Sequence, residues 1–256
     1  MNQSQGSSFS YLHKVSEVSI THPAVVIQGL PGMGLIGKIA TSFLIEHYEA
    51  IEIARIYSSF FPPVVQIDNE QGVGKLARME IYAITKTNPN LLILTGDAQP
   101  HDIGIIQVLN EVLDYVIENK AGTVICLGGL RVLEEGPEVA AFGYDIETLE
   151  WLQKFDIVPL KGGEITGAVG VFSALAAEKG LKSFGLLGKL TLVGTDPLAS
   201  KNLLKRLADI YSLEYSYEKL EEIIEEAVKK NELLNKVEEE ENTEEEKQTK
   251  GPTYYI

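Results

Sequence analysis

Ala24-Val25-Val26-Ile27-Gln28-Gly29-Leu30-Pro31-Gly32-Met33-Gly34-Leu35-Ile36-Gly37 carries a short apolar run into a glycine-rich turn. The turn leads into Leu35 to Tyr48, where apolar residues recur at the i, i+3, i+4 spacing of a helix. The apolar run is of strand length and reads as a strand buried on both faces. A buried strand that hands over through glycines to an amphipathic helix is the opening unit of a layered α/β domain.

Working outward, the same alternation continues. Strands are expected at Ile51 to Ser58, Val64 to Ile67, Lys75 to Ile84, Leu91 to Thr95, Thr123 to Leu127, Ile157 to Val158 and Gly185 to Val193. Covering helices are expected at Ile103 to Glu118, Ile146 to Lys154, Thr166 to Lys179 and Leu198 to Ile210. The turn Asp68-Asn69-Glu70-Gln71-Gly72 separates two antiparallel strands, so the sheet is expected to be mixed. At 256 residues, 45% of them hydrophobic, one main domain with appended segments is the natural reading. The expected fold class is therefore α/β, a layered mixed sheet with flanking helices, followed by a C-terminal amphipathic helix and a flexible acidic tail.

Gly32, Gly34 and Gly37 fit G-x-G-x-x-G in the strand-turn-helix setting of a dinucleotide fingerprint. Three features oppose cofactor binding. No acidic residue closes the next strand, where Ile53-Ala54-Arg55-Ile56-Tyr57-Ser58 stands. The antiparallel hairpin arrives too early for a regular mononucleotide half, and Pro31 removes a backbone donor. The preferred reading is a turn that lets the first helix pack tightly on the sheet; a nucleotide- or nucleoside-binding enzyme using Gly32 to Gly37 is the alternative. A phosphate-binding Walker loop is excluded, because Ile39 follows Gly37-Lys38 where Ser or Thr is required.

Other chemistry is sparse. Asp97 and the pair His101-Asp102 follow the strand Leu91 to Thr95, at the edge where open α/β sheets keep their sites, but Asp102 reads more simply as the cap of a helix starting at Ile103. Gly128-Gly129 and Gly162-Gly163, with Glu164 beside the second pair, occupy equivalent edges and would form a shallow groove. His13, His22, His47 and His101 lack metal-ligand spacing, so no metal site is expected. The one cysteine, Cys126, lies in the apolar run Thr123 to Leu127 and reads as a buried structural thiol. With no nucleophile partnered by a base, no reaction and no cofactor are expected.

The net charge is −15, yet residues 212–256 hold 14 acidic and 6 basic side chains, so the body is only mildly acidic. No basic cluster favours nucleic acid or an anionic membrane. No apolar stretch approaches the roughly 18 residues of a membrane span, and the polar start MNQSQGSSFSYLHK lacks an apolar signal core. A cytosolic protein is expected.

The boundaries expected are residues 1–9 flexible, 10–211 core, 212–237 an amphipathic helical segment and 238–256 an acidic tether. Leu220, Ile223, Ile224, Ala227, Leu234 and Val237 line one face of that helix. Glu238 to Glu246 contains seven Glu in nine residues and no apolar side chain, the composition of a solvated tail. At roughly 3.3 Å per residue, Glu238 to Thr253 could reach on the order of 50 Å. The sequence ends in Tyr254-Tyr255-Ile256, behind Gly251-Pro252.

Three ordered motifs resemble the PAC2 family of proteasome assembly chaperones, especially its archaeal members. They are Gly29-Leu30-Pro31-Gly32-Met33-Gly34-Leu35-Ile36-Gly37, then Phe61-Pro62-Pro63, then Leu91-Leu92-Ile93-Leu94-Thr95-Gly96-Asp97-Ala98-Gln99-Pro100. The resemblance covers roughly residues 15 to 240. It implies a nucleoside-phosphorylase-like core without its catalytic groups, and a non-enzymatic, ATP-independent chaperone or activator that acts on the 20S proteasome. It also implies a homo-oligomer, a tetramer or pentamer, to which the segment 217–237 is a candidate contributor unless it caps its own subunit. In such proteins a hydrophobic-Tyr-X ending docks between α-ring subunits; Tyr254, Tyr255 and Ile256 match its three positions, with Tyr254 bulkier and more polar than an aliphatic. The Ile256 carboxylate would meet a pocket lysine while the Tyr255 ring packs. A scaffold whose acidic tail binds a basic partner is a further alternative.

Overall fold

A computed structural model of the chain describes residues 9–21, 23–67, 71–131 and 136–229. In chain order the elements are β1 (Ser10–Lys14), β2 (Ala24–Gln28), α1 (Ile36–His47), β3 (Ile51–Ser58), β4 (Val65–Ile67), β5 (Gly74–Leu76), β6 (Met79–Ile84) and β7 (Leu91–Gly96). Then come α2 (Ile105–Glu118), β8 (Ala121–Leu130), β9 (Val139–Gly143), α3 (Ile146–Gln153), β10 (Val158–Pro159), α4 (Gly167–Glu178), β11 (Lys182–Lys189) and α5 (Pro197–Tyr211). A last helix, α6, runs over 218–229, where the described residues end.

Nine strands form one mixed sheet in the order β1-β3-β6-β7-β2-β8-β11-β9-β10. Its centre, β7-β2-β8-β11, is parallel, with Val26 opposite Leu92 on one side and Val124 on the other. These strands read as unbroken apolar runs because helices cover both faces. Alternate residues serve opposite cores. Val26, Leu92, Leu94 and Val124 pack with α2 and α4, whereas Val25, Ile27, Ile93 and Ile125 pack with α1, α3 and α5.

The sheet is mixed, though not for the reason the turn at 68–72 gave. β4 and β5 pair only with each other, in a separate two-stranded sheet. Against the direction of that parallel centre run β6 and β1 on one side and β9 and β10 on the other, while β3 runs with it. The single strand expected from Lys75 to Ile84 breaks at Ala77-Arg78, where Ala77 N–H bonds Val64 O at 3.0 Å and leaves the hairpin standing off the sheet. β1 and β9 went unread as strands: Ser10–Lys14 is polar, and the β9 run Val139-Ala140-Ala141-Phe142 is too short to announce itself. The last strand lies earlier than Gly185 to Val193, because Thr191 and Leu192 are drawn into a turn around Asp196.

That turn is a buried polar knot. Asp196 caps α5, its Oδ1 accepting from Ala199 N–H at 2.8 Å, while Oδ2 accepts from Leu192 N–H and Thr191 Oγ1, each at 2.9 Å. Asp196 is fully buried, so deleting it strands several donors at once. Asp196→Ala is expected to cost about 3 kcal/mol, a capping loss plus charge-assisted bonds, read as a lower denaturant midpoint at unchanged slope. A loss below about 1 kcal/mol would contradict this account of the turn.

α2 also departs from expectation. It begins at Ile105 after a turn at 102–104, and its N-terminal residue Gly104 offers no side-chain cap. Asp102 is exposed and does not cap it. The ring of Phe60 lies where a side chain at 104 would point, 2.0 Å from its Cβ position, so only glycine fits at the N-terminus of α2.

The C-terminal helix α6 rests on its own subunit. Leu220 is buried and Ile224 partly buried against the core that α1 and α5 share. Ahead of α6, Tyr215 meets Phe43 and Tyr217 edge-on, both at 5.3 Å between ring centres, and donates its hydroxyl to Leu204 O. Two ion pairs of 2.6 Å, Lys219–Glu46 and Lys201–Glu221, cross to α1 and α5. Lys219–Glu46 is solvated on both sides and adds little, whereas Lys201 is mostly covered in its pair; the aromatic and aliphatic burial holds the segment. Ile223 faces solvent.

Candidate functional site

The glycines that opened the sequence do steric work. Gly29 and Gly37 touch: a Cβ at Gly29 would lie 2.1 Å from Gly37 O, and a Cβ at Gly37 would lie 2.4 Å from Leu127 O on β8. α1 therefore sits directly on β2 and β8. Gly34 takes a φ of 64°, in the left-handed region open to glycine, and the turn Met33–Leu35 precedes the helix proper. Gly34 O accepts from Asp196 N–H at 2.8 Å, tying this turn to the start of α5. Gly32, by contrast, is extended and open, with Gln99 Nε2 3.5 Å from a would-be Cβ.

The loop ends at a crevice of about 360 Å³ on the carboxyl edge of the parallel strands. β2 hands the chain to α1 on one face and β7 hands it to α2 on the other, so loops part here as they do at the ligand sites of open sheets. Gly32, Gly37, Gly128, Gly129 and Glu164 line the crevice with Gln99 and Arg131. Sequence reading had named the glycines and Glu164 but not Gln99, which organises the crevice. Its Nε2 donates to Pro31 O at 2.7 Å and its Oε1 accepts from Ala168 N–H at 2.8 Å, joining the glycine turn to the first turn of α4. Gly34 and Gly162-Gly163 do not line it.

The remaining candidates scatter. Asp97 is held away from the crevice by Lys75, at 3.0 Å, and by a longer bond from Arg78 N–H. His101 and Asp102 are exposed, and His101 uses its backbone N–H on Phe60 O. Cys126 is fully buried beside Ser173, and burial pushes its thiol far above the ordinary range, as befits a structural residue. Among the described residues no group of three His, Cys, Asp or Glu could hold a metal ion.

One titratable residue, named in the sequence only beside the absent Walker pattern, has a distinctive setting. Lys38 lies in the first turn of α1, and its Nζ donates to Thr95 Oγ1 at 3.1 Å. Burial holds its ammonium below the usual lysine range, against the pull of Glu80 and Asp97. Those carboxylates are already engaged, Glu80 by Arg78 at 2.8 Å and Asp97 by Lys75. The cluster is thus a paired network under α1 rather than a base facing the crevice.

The expected docking residues Tyr254, Tyr255 and Ile256, and the tether before them, lie outside the described residues. No helix of the described residues is long and apolar enough to cross a membrane.

Comparison with known proteins bears on most of the chain. The model of the PAC2 family matches residues 26–234. An uncharacterized protein of Methanocaldococcus jannaschii is 28% identical over 211 residues, 81% of each chain. The structure of Pyrococcus furiosus PbaB, an archaeal proteasome activator, is similar with a TM-score of 0.79 and 28% identity, over 90% of this chain and 98% of PbaB. Pyrococcus furiosus PbaA, an archaeal homolog of proteasome-assembly chaperone, gives a TM-score of 0.72 and 27% identity over 93% of this chain and 97% of PbaA.

Proposed function

The chain belongs to the PAC2 family, and from that premise we propose that it is a proteasome assembly chaperone or activator that works without catalysis or ATP. The observation that carries the reading is similarity along nearly the whole length to an archaeal proteasome activator. The crevice on the sheet edge is lined largely by glycines and aliphatic side chains and is bridged by the amide of Gln99. In this proposal the docking element is Tyr254-Tyr255-Ile256 on its acidic tether, inserting between subunits of the 20S α-ring in the cytoplasm. One such peptide binds weakly, since few contacts offset the ordering of a solvated tail. Several tails on a homo-oligomer raise the effective concentration and turn weak anchors into useful avidity.

The test compares the full chain with one lacking Tyr254 to Ile256, measuring α-ring binding and 20S peptide hydrolysis. Loss of both with the fold intact supports the proposal; unchanged binding overturns the docking role. A second reading rests on the crevice itself, whose place at a parting of loops suits a small ligand. Thermal-shift screening with nucleosides, NAD and ATP separates the two, because a saturable ligand would still bind after the tail is removed.

A further inference from the structure

α1 and α6 leave a groove of about 540 Å³ between them, walled by Ile39 and Phe43 of α1 and by Leu220 and Ile223 of α6. Leu220 is buried at its floor, but Ile223 stays 52% exposed. The rim carries Glu46, Glu49 and Glu218 against Lys38 and Lys219. Lys219 pairs with Glu46 and Glu49 with Lys86, both pairs in solvent and so open to exchange. A concave apolar site bordered by a few charges is the form that takes a small ligand or a short peptide.

A matching peptide stands on the same chain. The described residues end at 229, six residues past Ile223, which is roughly 9 Å along the helix. Residues 230–253 number 24, and a coil of that length spans about 27 Å on average, so a return to the groove is within reach. The segment beyond the Glu run is Lys247-Gln248-Thr249-Lys250-Gly251-Pro252-Thr253-Tyr254-Tyr255-Ile256. Its last three side chains offer aromatic and aliphatic surface to Phe43 and Ile223. Lys247 and Lys250 complement a rim on which carboxylates outnumber ammonium groups, whereas the Glu run carries the rim's own sign and stays in water.

We propose that the groove between α1 and α6 is a resting site for the chain's own segment 247–256, seating Tyr254, Tyr255 and Ile256 among Ile39, Phe43 and Ile223. Tethering supplies an effective concentration on the order of 1 mM, so a contact with a Kd of about 1 mM holds the segment half the time. Half-capture lowers its availability to another partner about twofold, and a contact ten times tighter lowers it about tenfold. This regulatory consequence rests on the docking role proposed above; the capture itself does not.

The experiment uses the full chain carrying Ser42→Cys and Thr253→Cys. Ser42 is exposed on the groove, and the native Cys126 is buried and does not compete for oxidant. Oxidation should close an intrachain disulfide, seen on a non-reducing denaturing gel as one-subunit mass with both introduced thiols consumed. The pair Ile103→Cys and Thr253→Cys gives the rate of an undirected tether, since Ile103 is 89% exposed beside α2, on the opposite face of the sheet. Closure at Ser42 should be at least threefold faster. Adding Ile223→Glu should remove that advantage with the thermal unfolding curve in place; Ile223→Ser, a milder change at the same exposed site, should reduce it. Equal rates at the two sites, an advantage untouched by both Ile223 variants, or links formed only between copies overturns the proposal. In the chain without added cysteines, Ile223→Glu should raise α-ring affinity about two- to tenfold. Disulfide closure does not involve the α-ring, so failed docking leaves the resting site standing, and a chain that docks but never closes on Ser42 overturns the resting site alone.

Discussion

Gly37→Val is expected to leave little or no folded protein, whereas Gly32→Ala should fold like the wild type. Both glycines belong to the same G-x-G-x-x-G run, so the contrast separates two accounts of it. At position 37 a Cβ meets Leu127 O at 2.4 Å and Leu127 C at 3.0 Å, backbone atoms of a central strand that cannot rotate away. Relief requires α1 to lift from the sheet, opening contacts around the buried Ile36, Ala40 and Leu44. An exposed helical glycine would gain up to about 1 kcal/mol on becoming alanine, but here overpacking against backbone outweighs that gain. A loss of more than about 4 kcal/mol is expected for valine, close to the whole stability of many domains. Gly29→Ala should behave alike, its Cβ standing 2.1 Å from Gly37 O. Gly32 is extended with open space around it. Soluble yield and urea unfolding decide the matter. Gly37→Ala within about 1 kcal/mol of wild type would refute the packing account. Normal folding of Gly32→Ala with loss of a bound nucleotide would instead favour the phosphate cradle.

Adding two residues beyond Ile256 is the second large perturbation, with a stable fold and a lost partner as the expected result. If the Ile256 carboxylate is met by a cation in the α-ring pocket, moving it away removes a charge-assisted bond worth about 1.5–3 kcal/mol, or roughly ten- to a hundredfold per tail. Tails acting together multiply that factor, so the assembly should lose at least a hundredfold in α-ring affinity. Tyr255→Ala should weaken binding likewise, and Tyr255→Phe less, since the ring remains and only its hydroxyl bond is gone. Binding that survives extension and Tyr255→Ala yet collapses with added salt would identify the acidic tether as the recognition element.

The elements legible in the sequence are those whose burial is symmetric. β2, β7 and β8 carry unbroken apolar runs because helices lie on both sides, and α1, α4 and α5 show helical spacing against one core each. What escaped reading depends on partners distant in the chain. β1 is polar and is a strand only because β3 offers a ladder from Ser58 back to Ala54. The hairpin separates from β6 because Val64 captures Ala77, a bond no local pattern announces. In the crevice, the glycines and Glu164 stood out by residue type and position. Gln99 did not, because its role lies in two backbone groups 68 and 69 residues away. Lys38 was noticed only as part of a failed Walker pattern, since its surroundings come from β6 and β7.

The margins of the nine-stranded sheet carry a consequence for how copies can meet. At one margin β10 has two residues, and Pro159 has no N–H to give. At the other, β1 presents His13 and Lys14 to water at its outer end. Both margins are poor templates for a further strand, as stubby, proline-bearing and charged borders discourage pairing. Among the described residues both margins of the sheet are therefore poor places for joining it to another sheet edge to edge. Copies that associate would be expected to meet through surfaces that stand away from the sheet margins.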